Sequence, residues 1–261
     1  MKRMAPVVAA LAWAAGLPCT QIACGAGFLQ SRPYLAERSA WSESVPGGQD
    51  GRGWWCVGNS RVFGIVGPGL GAAAVHQITG PHIMLANVMN NASAFGPATL
   101  HLTVAGKNVP FERQTLSKVR GTGIVVMEYD SPQLALTVLT YAPFEVNALL
   151  RTAVVRNKSD APLEDVVLTA AVNRTVVKDG MLFDTFQGAT GGGAMGQTRQ
   201  LFSSFLEACE AAGPADKPGR GTLTAKLGTI APGAEAVRTH FLAFSMKEVG
   251  DEAATIALLR K

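Results

Sequence analysis

Apolar and polar residues alternate one by one in several short segments of this chain. In TLHLTVA (99–105), two leucines and a valine occupy every second position, and threonines and a histidine lie between them. Successive side chains of a β-strand point to opposite faces, whereas a helix repeats its apolar face every three or four residues. The segment therefore predicts a strand with one buried face, and this pattern restricts the chain to a sheet-based fold.

Related segments predict six more strands, and turn residues such as DSP (130–132) separate them. Strands about ten to fifteen residues apart, with no regular exchange between strand and helix, favour an antiparallel sandwich over a parallel α/β sheet. The predicted class is all-β, a large antiparallel β-sandwich with one or two short helices, one of them at the C-terminus. The six further strands are 123–130, 133–141, 148–157, 166–177, 221–228 and 236–245.

Two segments depart from the strand pattern. TRQLFSSFLEACEAAG (198–213) spaces Leu201, Phe205 and Ala208 as a helix does and ends at Gly213, so it predicts a helix, with a strand through LFSSFL as the alternative. GDEAATIALLRK (250–261) predicts a helix capped near Asp251. The chain stops inside that helix, and we expect the helix to begin a connection to a further domain.

Composition excludes some classes of protein. The 261 residues are 48% apolar, enough for one large all-β domain or two small ones. Charged residues are 16% of the chain, the formal net charge is +4, and no basic cluster is present, which argues against a nucleic-acid partner. After the N-terminal region no apolar run approaches the roughly 20 residues of a membrane span, so none is expected in the mature chain.

The N-terminal 26 residues have the pattern of a signal peptide. A basic MKRM precedes the apolar run APVVAALAWAAGL, and ACGAG places Cys24 and Ala26 at positions −3 and −1 of a cleavage before Gly27. We therefore predict a secreted or periplasmic protein; a lipoprotein anchor on Cys24 is the weaker alternative. Residues 27–53, rich in polar residues, Gly and Pro, are expected to lie over the surface and lead into the domain.

The residues that could carry chemistry are sparse. The four histidines are far apart and never spaced as HxH or HExxH, so no zinc site is predicted. Asp179 and Asp184 are interpreted as ordinary loop carboxylates, and the Gly-rich 187–197 lacks the G-K-[ST] ending of a phosphate loop. No catalytic residue, metal or cofactor is predicted. Cys56 and Cys209 remain after the signal peptide and are expected either to pair as a disulfide or to stay as two buried thiols.

One motif does combine aromatic and hydrogen-bonding side chains. In GWWCVGNSRVFG (53–64), two tryptophans precede an asparagine and an arginine, and ITGPHI (78–83) adds a histidine. Aromatic rings stack on sugar faces and the polar groups bind hydroxyls, although packing in the core or at a domain interface is the alternative. Adjacent strand residues face opposite ways, so only one tryptophan can pack inward. The candidate carbohydrate or interface residues are Trp54, Trp55, Asn59, Arg61 and His82.

Several stretches resemble a known family. WWCVGNSRVFGIVG with ITGPHI, LLRTAVVRNKSDAPLEDVVL, and LGTIAPGAEAVRTHFLAF are similar to parts of the N-terminal β-supersandwich domain of bacterial glycoside hydrolases and phosphorylases with an (α/α)6 barrel. These are the glucoamylase-like and maltose- or cellobiose-phosphorylase-like enzymes. Ser60 stands where the family commonly has Gly, and no barrel sequence is present.

The resemblance implies a galactose-mutarotase-like supersandwich over 54–247 and the start of a linker helix over 248–261. In this family the catalytic groups come from the barrel, so no catalytic residue carries over to this chain. It implies a non-catalytic accessory domain of a carbohydrate-active enzyme, with a carbohydrate or a catalytic barrel as partner. A free-standing carbohydrate-binding module and a structural periplasmic β-sandwich are the alternatives.

Overall fold

A computed structural model describes residues 27–46, 55–59, 61–69, 72–79, 97–187, 198–246 and 252–259. These residues form sixteen strands, a short 3-10 turn and one helix, α1, and every strand pairing among them is antiparallel. The predicted all-β class with a C-terminal helix is confirmed, as are all seven predicted strands. The elements are 3-10 Pro33–Ala36, β1 Arg38–Pro46, β2 Trp55–Gly58, β3 Phe63–Gly69, β4 Ala72–Thr79, β5 Ala98–Val104, β6 Lys107–Asn108, β7 Arg113–Val119, β8 Val125–Asp130, β9 Leu134–Tyr141, β10 Ala148–Asn157, β11 Leu163–Lys178, β12 Met181–Gln187, β13 Thr198–Phe205, β14 Glu210–Ala212, β15 Gly219–Ile230, β16 Glu235–Met246 and α1 Glu252–Leu259.

The strands form two sheets that share β11. Sheet A has the order β1-β7-β8-β9-β10-β16-β13-β12, and sheet B has the order β2-β3-β4-β5-β11-β15-β14, with β6 beside β5. Residues 163–175 of β11 belong to sheet B, and residues 176–178 pair with β12 of sheet A. The register shifts between Val172 and Thr175, and Arg174 has a φ of 60°, so β11 bends where it changes sheets.

The main hydrophobic core lies between the two sheets. On β5, Leu100 and Leu102 are buried in this core, while Thr99 and Thr103 of the opposite face are only partly buried, as the alternation predicted. Sheet A supplies the other half of the core through alternate residues such as Leu149 of β10. The fold is therefore a sandwich with its largest apolar cluster in the middle.

Sheet A is also covered on its outer face, by the two ends of the described chain. Leu259 of α1 packs in a cluster with Leu150, Phe202 and Phe241. Near the N-terminus, Leu35 packs in a second outer cluster with strand residues of β7, β8 and β9. Part of the 27–53 segment also forms β1, the edge strand of sheet A.

The helix predicted over 198–213 is wrong, because residues 198–205 form strand β13 and 210–212 form β14. Leu201 and Phe205 belong to the main core, whereas Phe202 lies in the outer cluster beneath α1. A strand buried on both faces loses the polar half of its alternation, and its remaining apolar spacing is then compatible with a helix. The predicted cap of α1 at Asp251 lies outside the described residues.

Candidate functional site

The turn between β2 and β3 is held by Asn59. Its side-chain Oδ1 accepts hydrogen bonds from the backbone N–H groups of Arg61 (2.7 Å) and Val62 (2.8 Å), and its own N–H donates to the Val62 carbonyl (2.9 Å). This is an Asx-type turn, which a short amide side chain forms with the backbone that follows it. Asn59 therefore closes the hairpin at one edge of sheet B.

The same side chain joins the two sheets. Asn59 Nδ2 donates to the carbonyls of Pro143 and Val146 (3.2 Å to Val146), both in the loop between β9 and β10 of sheet A. Both ends of its amide are thus bonded to backbone. The predicted role of Asn59 in binding a carbohydrate hydroxyl has no support in this geometry, since its hydrogen-bonding capacity is used to position the loop.

Of the other predicted site residues, the structure describes Trp55 and Arg61. Trp55 is half-buried and packs against the main core, and Arg61 is exposed at the turn. Trp54 and His82 lie outside the described residues. The interpretation of Trp55 as core packing is favoured by its contacts, and the roles of the remaining residues stay predictions.

An aromatic side chain that sequence reasoning missed is the most exposed large apolar group among the described residues. Phe144 is 85% exposed, in the β9–β10 loop that Asn59 holds. Val146 of the same loop packs against the outer cluster to which Leu259 of α1 belongs, so the loop and the helix border the same cluster. We call the exposed part of this region the loop–helix surface, which consists of Arg61, Phe144, Ala253, Ala254, Ala257 and Leu258.

Helix α1 is apolar on both its inner and its outer side. Thr255 and Leu259 are buried against sheet A, whereas Ala253, Ala257 and Leu258 face outward, and Leu258 is 46% exposed. A helix with a single buried face normally carries polar residues on the opposite face. The outer side of α1 therefore has the composition of a contact surface.

The interior of the sandwich contains a buried cation. Arg151 of β10 is fully buried, and its Nη1 donates to the carbonyls of Ala73 and Ala98, each at 3.0 Å, which belong to β4 and β5 of sheet B. The three ion pairs found among the described residues do not include Arg151. Its charge is therefore offset by neutral acceptors, and it links sheet A to sheet B.

His240 of β16 completes this interior network. Its Nδ1 faces Nε and Nη2 of Arg151 at 3.2 and 3.0 Å, and its Nε2 lies 2.7 Å from Ser203 Oγ. Because Arg151 can only donate, Nδ1 accepts, and the proton is assigned to Nε2, which donates to Ser203. Burial, and next the charge of Arg151, hold the pKa of His240 well below its usual value, so the ring is neutral at pH 7.

Burial also shifts the pKa of other side chains, among them an arginine and two carboxylates. Desolvation lowers the pKa of Arg151 to about 9, which leaves it charged at neutral pH. Desolvation raises the pKa of Asp184, and it does the same for Glu207, whose Oε2 accepts the Thr239 N–H at 3.0 Å. Asp184 lies in strand β12 and is buried, so the interpretation of it as a loop carboxylate is wrong; only Asp179 lies in a turn.

Metal and disulfide sites are not formed by the residues that the structure describes. No group of three or more His, Cys, Asp and Glu side chains there could hold a metal ion. Cys56 and Cys209 are both free: Cys56 is exposed on edge strand β2, and Cys209 is half-buried with its Sγ 3.4 Å from Ser204 Oγ. Within these same ranges, no helix has the length and apolar character needed to cross a membrane.

Two of the sequence motifs that carry the family resemblance meet at one corner of the sandwich. Asn157, from RNKSDAP, accepts the Gly233 N–H (3.1 Å) and donates its own N–H to the Ala234 carbonyl (3.0 Å), both from APGAE. Its buried Nδ2 donates to Ala161 and Ile230. Asn157 therefore holds the two motif loops together at this corner of the sandwich.

Comparison with solved structures finds 45 matching chains, whereas comparisons with family models and curated proteins find none. Among solved structures this chain is similar to a putative kojibiose phosphorylase from human microbiome, with a TM-score of 0.44 and 10% sequence identity over 78% of this chain. The chain spans only 33% of that protein. At this level of similarity the neighbour assigns neither family nor function, so the proposal below rests on the residues of this chain.

Proposed function

We propose that this chain is a non-catalytic N-terminal accessory domain of an exported carbohydrate-active enzyme of the glycoside hydrolase and phosphorylase class. In this proposal the loop–helix surface docks the catalytic (α/α)6 barrel. The observation that carries it is the outer side of α1, where Ala253, Ala254, Ala257 and Leu258 are exposed. An apolar outer side of this kind is typical of a helix that is covered by another domain.

The position of Phe144 supports the same partner. Asn59 donates hydrogen bonds to two carbonyls of its loop, and Val146 of that loop packs against the cluster that includes Leu259 of α1. A large aromatic side chain held on a positioned loop is typical of an interface anchor. The resemblance of the 248–261 segment to the start of a linker helix also supports a barrel as the partner of this surface.

The first experiment is to read the coding sequence that follows Lys261. The proposal expects an in-frame barrel of paired helices carrying acidic residues suited to glycoside chemistry. A stop codon, with no barrel encoded beside it, would contradict the proposal.

In the whole enzyme, the double variant Phe144→Ser with Leu258→Gln should weaken docking. We expect the sandwich and barrel to unfold in separate calorimetric transitions, while the sandwich itself keeps its stability, because both side chains are exposed in this chain. Lys226→Gln, at an exposed position on β15 of sheet B, is the matched control and should leave a single transition. If the double variant still unfolds in a single transition, the barrel does not dock on the loop–helix surface.

A carbohydrate-binding module is the second candidate, because Phe144 presents an exposed ring close to the turn that carries Arg61. It predicts saturable heat of binding to a soluble oligo- or polysaccharide, lost in Phe144→Ala while the unfolding temperature is unchanged. If the folded chain binds no glycan of a broad panel, the accessory or a purely structural role is favoured.

A further inference from the structure

One oxygen of a buried carboxylate on the outer face of sheet A lacks a hydrogen-bond partner in the part of the chain that the structure describes. Glu235, the first residue of β16, is 8% exposed, and its Oε2 has no hydrogen-bond partner among the described residues. Burying a carboxylate without a compensating charge or donor is costly. The site is therefore built for a positively charged or hydrogen-bonding group.

Gly27 lies directly against this carboxylate. A Cβ added to Gly27 would lie 2.6 Å from Oε2 and 2.8 Å from Oε1 of Glu235, closer than any side chain can approach. The Gly27 backbone nitrogen lies 3.4 Å from the side-chain Oε1 of Gln30. The backbone of Gly27 therefore lies next to the Glu235 carboxylate and the Gln30 amide oxygen, and a side chain at Gly27 would require the carboxylate to move.

The sequence places the predicted signal-peptide cleavage at the same residue. Cys24 and Ala26 occupy the −3 and −1 positions of a cut before Gly27. Hydrolysis of the Ala26–Gly27 peptide bond adds one water: the C–N bond breaks, Ala26 keeps the carboxylate, and Gly27 becomes the N-terminal residue with a free amine. With an ordinary pKa of about 7.7–8.0, that amine is mostly protonated at neutral pH.

We infer that Glu235 and Gln30 form a binding site for the new α-ammonium group of Gly27, so that removal of the signal peptide completes an ion pair in the outer layer of sheet A. This inference rests on the export part of the proposed function. The inference names two sites: the Ala26–Gly27 bond, where the chain is cleaved, and the Glu235 and Gln30 side chains, which bind the new N-terminus. Before cleavage, the Gly27 nitrogen is an uncharged amide and cannot neutralise Glu235.

Arg156 is the rival partner for this carboxylate. It lies directly opposite Glu235 in the β10–β16 register, so both side chains are on the outer face. It is exposed, however, and the ion pairs present among the described residues do not include it. A test must therefore separate Gly27 from Arg156.

The first measurement is the mass of the chain exported with its own leader, which should correspond to a start at Gly27. The second is the acylation rate of the Gly27 amine at neutral pH in the folded protein. We expect at least a tenfold slower reaction than in denaturant, because a paired ammonium is a poor nucleophile, whereas the exposed amine of Lys107, which is in none of the ion pairs among the described residues, should be protected much less.

Stability gives an independent readout. Processed protein should melt about 5 °C or more above unprocessed full-length chain made in the cytosol, and Glu235→Gln should abolish that difference. Glu210→Gln, at an exposed glutamate, should preserve the difference, and so should Arg156→Gln.

Three outcomes would overturn the inference: a start other than Gly27, equal acylation of Gly27 in folded and denatured protein, or a processing effect that survives Glu235→Gln. Failure to process the chain at all would count against export and hence against the proposed function as well. Processing at Gly27 without any dependence on Glu235 would overturn this inference alone.

Discussion

Arg151 and His240 face each other across β10 and β16 inside the sandwich, and the arginine donates two hydrogen bonds to a single ring nitrogen of the histidine. The arginine also bonds to two carbonyls of the opposite sheet. Neutral hydrogen-bond acceptors thus surround the charge of Arg151. The Arg151–His240 pair connects sheet A to sheet B at the centre of the sandwich.

Replacing Arg151 by Met should destabilise the protein by about 3 kcal/mol or more, because the buried carbonyls of Ala73 and Ala98 lose their donor. The free energy of unfolding in urea measures the loss. Arg156→Met, at an exposed position on the same strand, is the control and should change the stability by less than about 0.5 kcal/mol. Equal stability of the two variants would show that the interior arginine is dispensable.

Stability should fall as the pH falls below about 6.5. The folded pKa of His240 is lowered by burial and then by Arg151, so between the folded and unfolded pKa values the unfolded state binds more protons. In that window the free energy of unfolding rises with pH by up to about 1.4 kcal/mol per unit. His101, whose pKa is lowered by burial, then Arg220, then Arg151, acts in the same direction.

Denaturation curves between pH 5 and pH 8 would test this dependence. His240→Gln keeps an acceptor for Arg151 and a donor for Ser203, but does not titrate, so its profile should be flatter than that of the wild type. The raised pKa values of Asp184 and Glu207 have the opposite effect at lower pH, where stability increases as the pH falls, and the comparison with His240→Gln cancels their contribution. Identical slopes in the two proteins would refute the role of His240.

Asn59→Asp should cost about 2–3 kcal/mol. The aspartate keeps the Oδ1 acceptor of the turn but replaces the Nδ2 donor by an oxygen that faces the carbonyls of Pro143 and Val146. Amide hydrogen exchange should accelerate in the β9–β10 loop, which then loses its link to sheet B. Asn108→Asp, exposed on β6, provides the comparison, and similar exchange in both variants would argue against the link.

Gly221→Ala should destabilise the protein by about 1–3 kcal/mol through overpacking. A Cβ at this position would lie 2.4 Å from Leu182 Cδ2 and 2.6 Å from Thr175 Oγ1, next to the bend of β11. In Gly123→Ala, by contrast, the nearest neighbour would be 3.9 Å away. The melting temperatures of the two variants give the comparison. If Gly221→Ala has the melting temperature of the wild type, the bend of β11 can relax to accept the methyl group.

The strands were predictable wherever one face of a sheet is wetter than the other. The alternation of 99–105 gave the correct face for Leu100 and Leu102, because the intervening threonines are only partly buried. At β13 this alternation is absent, because both faces of the strand are buried: Leu201 lies in the main core and Phe202 lies in the outer cluster beneath α1. Covering of the second face by α1 is a tertiary event that the local sequence does not encode.

The candidate site was less predictable than the strands, because its contacts join residues that are far apart in the sequence. Asn59 of the WWCVGN motif was predicted as a carbohydrate or interface residue, which stays a prediction, but the local sequence did not predict its hydrogen bond to a loop 84 residues away. Arg151 and His240, 89 residues apart, each stand at a regular position of a predicted strand, and only strand pairing brings them together. Phe144 lay between predicted strands with no pattern to mark its exposure.

The strand order begins with β1 and ends with β2, which are neighbours in the chain. Only residues 47–54 separate them, so the free edges of the two sheets lie within about 30 Å of each other along the chain. Among the described strands, β1 and β2 each pair on one side only, so each leaves a row of backbone N–H and C=O groups with which a strand of a neighbouring molecule can pair.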